Sequence, residues 1–419
     1  GGVEVLPKVE GVAEAPSVLE AGRVAYIHGH DGDMWGARNP LVGIVEPDGS
    51  ARLLGAALDR PVGDWALDDL SGAAFSPWAP LWDGDGVIVV GPDRACTRLL
   101  RLGLDGSHRW LTPHGPCVSS PVRVGEAMVG LQGFHDRFLE VARVDGDATV
   151  MSRHNDALAA DLAPRVPESV EVVVDGVTVQ GWYLAARGRT TPGPAVLYVH
   201  GGPHTAYGTR LFFEMQWLAD EGFAVTWTNP RGSHSFGEAY AACIDPHWGD
   251  PDARDQLAFV EHMAARPEVD AARVGITGGS YGGFMTIYMT AHHQRFSAAV
   301  ADRGLYDWAL DAAGGDFGHA LPETFGVDLP WRDPAPLMKY SLLRVAHQVR
   351  CPTLIVHGDL DLRCDRTQAT ALYETLLRAG VTTALCLYPE ENHGLSRGGR
   401  LDRRKERMRQ SAAWFRRFL

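Results

Sequence analysis

A serine set among glycines, between an apolar run and a helix-like one, constrains this chain more than any other feature. Thr277-Gly278-Gly279-Ser280-Tyr281-Gly282-Gly283 follows the short β-type run Arg273 to Gly278 and precedes Phe284 to Thr290, which continues apolar at helical pitch. A serine on so tight a strand-to-helix turn is forced into a strained backbone, and side chains flanking it would collide with the neighbouring strand and helix. Glycines are therefore needed there. Such a turn, a nucleophile elbow, lifts the hydroxyl above the sheet edge and aims the N–H groups of the helix start at developing negative charge. A glycine-rich turn that merely starts a helix has the same letters, so the rest of the chain has to decide.

The rest of the chain supplies an acid and a histidine in the order that an elbow of this kind requires. Pro352 to Gly358 reads as a fully buried parallel strand, with Asp359 and Asp361 just past its end as candidate acids. Ala384 to Tyr388 is the next strand, and Pro389-Glu390-Glu391-Asn392-His393-Gly394 follows it. In an open parallel sheet the C-terminal strand ends share one rim, so three loops remote in sequence can converge. The order serine, acid, histidine is that of an α/β-hydrolase sheet. In that fold the N–H after the nucleophile, that of Tyr281, supplies one oxyanion donor. The second comes from the loop after an earlier strand, and Ala195 to His200 running into Gly201-Gly202-Pro203 is that strand and loop.

These motifs carry a resemblance. Gly278 to Gly283, His357-Gly358-Asp359-Leu360-Asp361-Leu362-Arg363 and Asn392-His393-Gly394, with His200 to His204, Asn229 to Ser233 and Trp248-Gly249 followed by Asp255, resemble the prolyl oligopeptidase family of serine peptidases, nearest its acylaminoacyl-peptidase branch. The resemblance is strong from about Glu171 to the C-terminus and weak before it. It implies Ser280 as nucleophile, His393 as general base and then acid, and Asp361, preferred to Asp359 by the family spacing, as the orienting carboxylate. It also implies the Gly202 N–H as the second oxyanion donor and Arg363 as the arm that binds a substrate main-chain carbonyl. Arg231 is expected to hold the Asn229-Pro230 loop in shape. No metal and no cofactor are implied. Asp365, and the pair Asp302-Arg303, depart from the family pattern near the expected pocket and bear on specificity.

The first part of the chain has a different rhythm. Leu41 to Glu46, Thr97 to Leu102 and Arg137 to Val144 each lead into an Asp-Gly turn signal, with Gly86 to Val90 and Ala127 to Leu131 between them. Recurrent β units of this kind suggest propeller blades. At roughly 40–50 residues per blade only three or four would fit, which suggests an incomplete ring. The blades expected upstream of Gly1 would then be removed or supplied by a second polypeptide or a homo-oligomer. Residues 1–165 are expected to form this β-propeller-like part and residues 166–419 the α/β-hydrolase domain. The linker-like stretch Ala163 to Glu168 joins them. Phe212 to Leu218, Gln256 to Met263, Phe284 to Met289 and Thr367 to Leu377 read as crossover helices of a doubly wound, mostly parallel sheet. Leu305 to Pro336, with Tyr306, Trp308, Phe317, Phe325 and Trp331, interrupts that rhythm as an aromatic-rich insertion and a candidate pocket wall.

Composition narrows the function further. The 419 residues are 45% hydrophobic, long enough for two cored domains, and the net charge of −13 argues against nucleic-acid or anionic-membrane partners. The basic stretch Arg397 to Arg417 interleaves with Leu401, Met408, Trp414 and Phe415 and is read as an amphipathic terminal helix with a solvated basic face. Six cysteines without metal-type spacing, and the lack of a signal-peptide pattern, lead to the expectation of a cytoplasmic enzyme with free thiols. Cys364, beside Arg363, is a candidate for thiol modification. The expected function is hydrolysis of short peptides or acyl-peptides through an acyl-enzyme. The rivals are a carboxylesterase, a hydrolase of one modified peptide, and a catalytically silent fold used for binding.

Overall fold

The computed structural model describes residues 11–19, 22–30, 36–70, 78–146, 149–245, 248–318 and 331–419. Its largest sheet has eight strands, numbered here within the sheet: β1 Glu168–Val174, β2 Val177–Leu184, β3 Gly193–Val199, β4 Ala224–Asn229, β5 Val269–Gly279, β6 Ala298–Asp302, β7 Thr353–Gly358 and β8 Thr383–Tyr388. Their spatial order is 1-2-4-3-5-6-7-8. β1 and β2 form an antiparallel hairpin, β2 runs antiparallel to β4, and every later pairing is parallel.

Both faces of this sheet are covered, which is why its central strands are continuous apolar runs. Along β3, Ala195, Leu197 and Val199 point into one core with Ile276 and Ile355, while Val196 points into the other with Val225, Val300 and Val356. Helices Pro251–Ala264, Tyr281–His292 and Arg366–Arg378 close the first face through residues such as Phe259, Met285 and Leu372. Helices Phe213–Asp220 and Leu401–Phe418 close the second through Met215 and Phe415. Three of the four expected crossover helices begin one to five residues before their apolar periodicity does, and the fourth, Phe213–Asp220, begins one residue after it. Their first turns are polar: Pro251 sits at the start of one, and the Asp365 side chain caps another by accepting the Thr367 N–H. The terminal helix departs from a uniformly solvated basic face at Arg407, which is buried and paired with Glu214 and with Asp302.

Before this sheet the described residues form three four-stranded antiparallel sheets, each a meander of consecutive strands. They run from Val12 to Leu54, Leu81 to Trp110 and Cys117 to Val150. They stack as successive blades: Ile27, Val42 and Ile44 of the first meet Val87, Val89 and Leu100 of the second. Ile88, Val90 and Leu99, on the second sheet's other face, meet Val118, Met128 and Ala142 of the third. This is a partial, propeller-like arrangement beside an α/β-hydrolase sheet.

The two parts are joined by more than the connecting chain. Ala66–Leu67 pairs in parallel with Ala206–Tyr207, a short strand after β3. Arg210, 5% exposed, pairs with Asp64 and Asp68. Both oxygens of the Asp69 carboxylate accept the first N–H groups of helix Phe213–Asp220, from Phe213 at 2.8 Å and Glu214 at 2.7 Å.

Candidate active site

The elbow has the geometry its glycines imply. Ser280 sits between β5 and helix Tyr281–His292 with φ 63° and ψ −121°, a region few side chains tolerate. A Cβ on Gly278 would stand 2.5 Å from the Val199 carbonyl oxygen, and one on Gly282 2.4 Å from the same atom. The elbow is thus pressed against the end of β3. Ser280 donates its own N–H to the Asp302 carbonyl at 3.0 Å, so that group is spent on the fold. Tyr281 is the first helical residue, and its N–H has no acceptor within the helix. Its phenol is anchored below, bonded to the buried Asp252.

The loop after β3 comes against the same turn. A Cβ on Gly201 would lie 3.1 Å from the Gly279 oxygen and 3.4 Å from Ser280 Cβ. Gly202 adopts φ 123°, a conformation that glycine takes without strain. His200 is buried at the strand end, its Nε2 bonded to Ser233 Oγ at 2.9 Å. Arg231 is occupied by Asp255 and Asp175. It braces the Asn229-Pro230 loop and is not turned toward a ligand.

Two further loops are knitted to each other. Asp359 N–H donates to the Tyr388 carbonyl at 2.9 Å and Leu360 N–H to the Glu391 carbonyl at 2.8 Å, which fastens the loop after β7 to the loop after β8. His393 Nδ1 lies 2.7 Å from Asp361 Oδ2. The other oxygen of Asp361 accepts the N–H groups of Arg363 at 2.9 Å and Cys364 at 3.0 Å. Burial works to raise the Asp361 pKa, but the His393 bond, the charges of His393 and His357 and these N–H groups outweigh it and hold the carboxyl below its ordinary value. Asp359 faces elsewhere, bonded to Arg366 at 2.6 Å.

Burial pulls the His393 imidazole down to about 4. The Asp361 bond opposes that pull, and the positive charges of Arg303 and Arg397 add to it. The ring is therefore neutral over most of the accessible pH range. Arg397 is itself pushed down to about 10 by burial and by Arg303, and among the described residues no carboxylate forms an ion pair with it.

Ser280, Tyr281, Gly202, Arg363 and His393 line one cleft of about 430 Å³, with Asp361 buried behind His393. Arg363 lies across the Phe317 ring at 3.8 Å and is held by Asp316 at 2.6 Å. Of the aromatic insertion, Phe317 reaches the cleft, Tyr306 and Trp308 are buried in the core, and Trp331 is 76% exposed. Phe325 lies outside the described residues. Cys364 borders the cleft but is only 5% exposed, and burial raises its thiol well above its usual value, which corrects the expectation of a reactive thiol. Seven lining residues escaped sequence reasoning as pocket residues: Glu14, Trp65, Leu67, Thr205, Trp248, Asp311 and Arg397. Only Trp248 left a signal, in its Trp-Gly motif.

With this geometry in view, comparison with known proteins is informative. Residues 209–419 match the model of the prolyl oligopeptidase family. The chain belongs to that family. The uncharacterized peptidase YuxL of Bacillus subtilis is 31% identical over 83% of this chain and 54% of its own length. The acylamino-acid-releasing enzyme of Arabidopsis thaliana is 26% identical over 75% of this chain and 40% of its own. The chain thus spans about half the length of these relatives. Among solved structures, the acylaminoacyl peptidase of Pyrococcus horikoshii superposes with a TM-score of 0.84 at 24% identity, over 95% of this chain and 62% of that one. At that identity the likeness speaks for the fold. Among the described residues no helix is long and apolar enough to cross a membrane.

Proposed function

We propose that this member of the prolyl oligopeptidase family is a serine peptidase that hydrolyses short peptides or acyl-peptides through an acyl-enzyme. The observation that carries the reading is the 2.7 Å bond between His393 Nδ1 and Asp361 Oδ2, beside a cleft that His393 shares with Ser280. With Nδ1–H donating to Asp361, Nε2 keeps its lone pair and accepts the Ser280 hydroxyl proton as Oγ bonds to the scissile carbonyl carbon. The resulting oxyanion is received by the N–H groups of Tyr281 and Gly202. Collapse breaks the C–N bond, and the imidazolium returns its proton to the leaving amine. Water, deprotonated by the same nitrogen, then cleaves the ester and restores the serine. Asp361 stays ionised throughout and fixes the tautomer. Arg363, already fixed by Asp316 and Phe317, is the arm for a substrate main-chain carbonyl.

The acylamino-acid-releasing relatives support peptides as substrates. We read residues 1–165 as the propeller-like cover and 166–419 as the catalytic unit, and the free thiols support a reducing, cytoplasmic setting. Labelling with a fluorophosphonate, with Ser280→Ala as control, tests the nucleophile. A folded wild-type protein that takes no label at Ser280 overturns the reading. Matched amide and ester substrates separate a peptidase from a pure esterase, which would leave the amide intact.

A further inference from the structure

The side of the cleft beyond Ser280 is mostly apolar: Trp248 stacks edge-on against Tyr281 at 5.2 Å, and Leu305 and Phe317 complete the wall. Of the two carboxylates that line the cleft, Glu14 is exposed and Asp311 is buried. Asp311, on the short helix Trp308–Gly314, borders the cleft while only 1% exposed. Its Oδ1 is buried without a hydrogen-bond partner, and among the described residues no cation forms an ion pair with the carboxylate. Two arginines line the cleft, and among the described residues neither forms an ion pair with Asp311. Arg363 is held by Asp316, and the only other arginine on the cleft, Arg397, takes its electrostatic influence from Arg303, Asp302 and Asp68. Burial, then the charges of Asp316, Asp361 and Asp365, raise Asp311 to about 7, with Arg363 opposing. A buried carboxyl left unpaired is costly to fold, and a cation arriving with the ligand would relieve that cost.

We propose that this pocket accepts a basic side chain, lysine or arginine, on the residue that donates the scissile carbonyl, with Asp311 as its counter-charge. The methylene stem of such a residue suits the wall of Trp248, Leu305 and Phe317, while its head reaches the carboxylate. Lysine brings a point charge and arginine a planar fork that matches two carboxylate oxygens. The inference deepens the peptidase reading and rests on Ser280 being the nucleophile, since that fixes which substrate residue enters this side of the cleft. The α-ammonium of an unblocked substrate offers similar chemistry. The apolar lining of Trp248, Leu305 and Phe317, which a methylene stem can contact, favours the side chain.

The test measures binding first, so that it does not depend on turnover. Calorimetry on the full chain carrying Ser280→Ala would compare Nα-acetyl-arginine amide, Nα-acetyl-norleucine amide and norleucine amide with a free amine. The expected result is that the arginine compound binds about tenfold or more tighter than both others, and that adding Asp311→Asn removes the difference. Equal binding of the two acetylated compounds, a preference that survives Asp311→Asn, or preference for the free amine would each overturn the proposal. Asp311→Leu serves as a second variant, with its thermal melt recorded to show that it folds. Fluorophosphonate labelling of the wild type separates the two readings: label without arginine preference sinks this inference alone, and no label sinks the assignment of Ser280.

Discussion

Two aspartates follow β7 within three positions, and their surroundings assign them different work. Asp361 is buried and accepts from His393, whereas Asp359 is spent on Arg366. Asp361→Asn is expected to cut kcat by about 10⁴ by leaving His393 in the wrong tautomer. Asp359→Asn is expected to stay within a few-fold of wild type in the same assay. The His393 imidazole acts as a base only when neutral, and that form is lost as pH falls through its pKa of about 4. The acid limb of kcat/KM is therefore expected near pH 4, well below the ~6.5 of a free imidazole. Removing the positive charge of Arg397 with Arg397→Gln should move that limb upward, which a pH–rate profile would record. Ser280, His393 and the candidate acids were legible in the sequence because each lies in a short motif at a strand end. Choosing Asp361 over Asp359 required family spacing, since both stand in the same seven letters. Asp311 and Arg397 were not legible. Their significance lies in having no ion-pair partner among the described residues, and a missing contact leaves no pattern in a sequence.

At the scale of elements, the elbow and the end of β3 form one unit because glycines let backbone meet backbone. Gly282→Ala would drive a methyl to 2.4 Å from the Val199 oxygen and 3.0 Å from that of His200. The turn and the Gly201-Gly202 loop would have to separate. The expected outcome is a loss of stability of about 1–3 kcal/mol and a large loss of fluorophosphonate labelling. Gly398→Ala, where nothing stands within 4 Å, is the control and should label as wild type. The strands of the large sheet were readable as apolar runs because burial on both faces removes alternation. Helix starts were not, since Pro251 to Asp255 and Arg366 are polar first-turn residues with no apolar period to betray them. The stretch after Leu305 stood out only as an interruption. The short helices Trp308–Gly314 and Ala335–Tyr340 within it are too brief to show a repeat.

At the scale of the molecule, the cleft is a shared property of both halves. Trp65 and Leu67 reach it from the segment between the first two β sheets, while Ser280 and His393 reach it from the strand ends. The joint depends on Arg210, which lies between Asp64 and Asp68 in a region closed to water. Arg210→Ala would strand two carboxylates and is expected to cost about 3–5 kcal/mol. A lowered midpoint in urea unfolding would measure it. Nothing in the local sequence announced this contact, because Arg210 lies 146 positions from Asp64 and 142 from Asp68. The same joint sets a limit on transplantation. Helix Phe213–Asp220 borrows its terminal acceptor, Asp69, from the other half of the chain. Foreign β sheets grafted onto this catalytic half would have to bring a carboxylate to that spot, and counter-ions for Arg210, before the graft could hold.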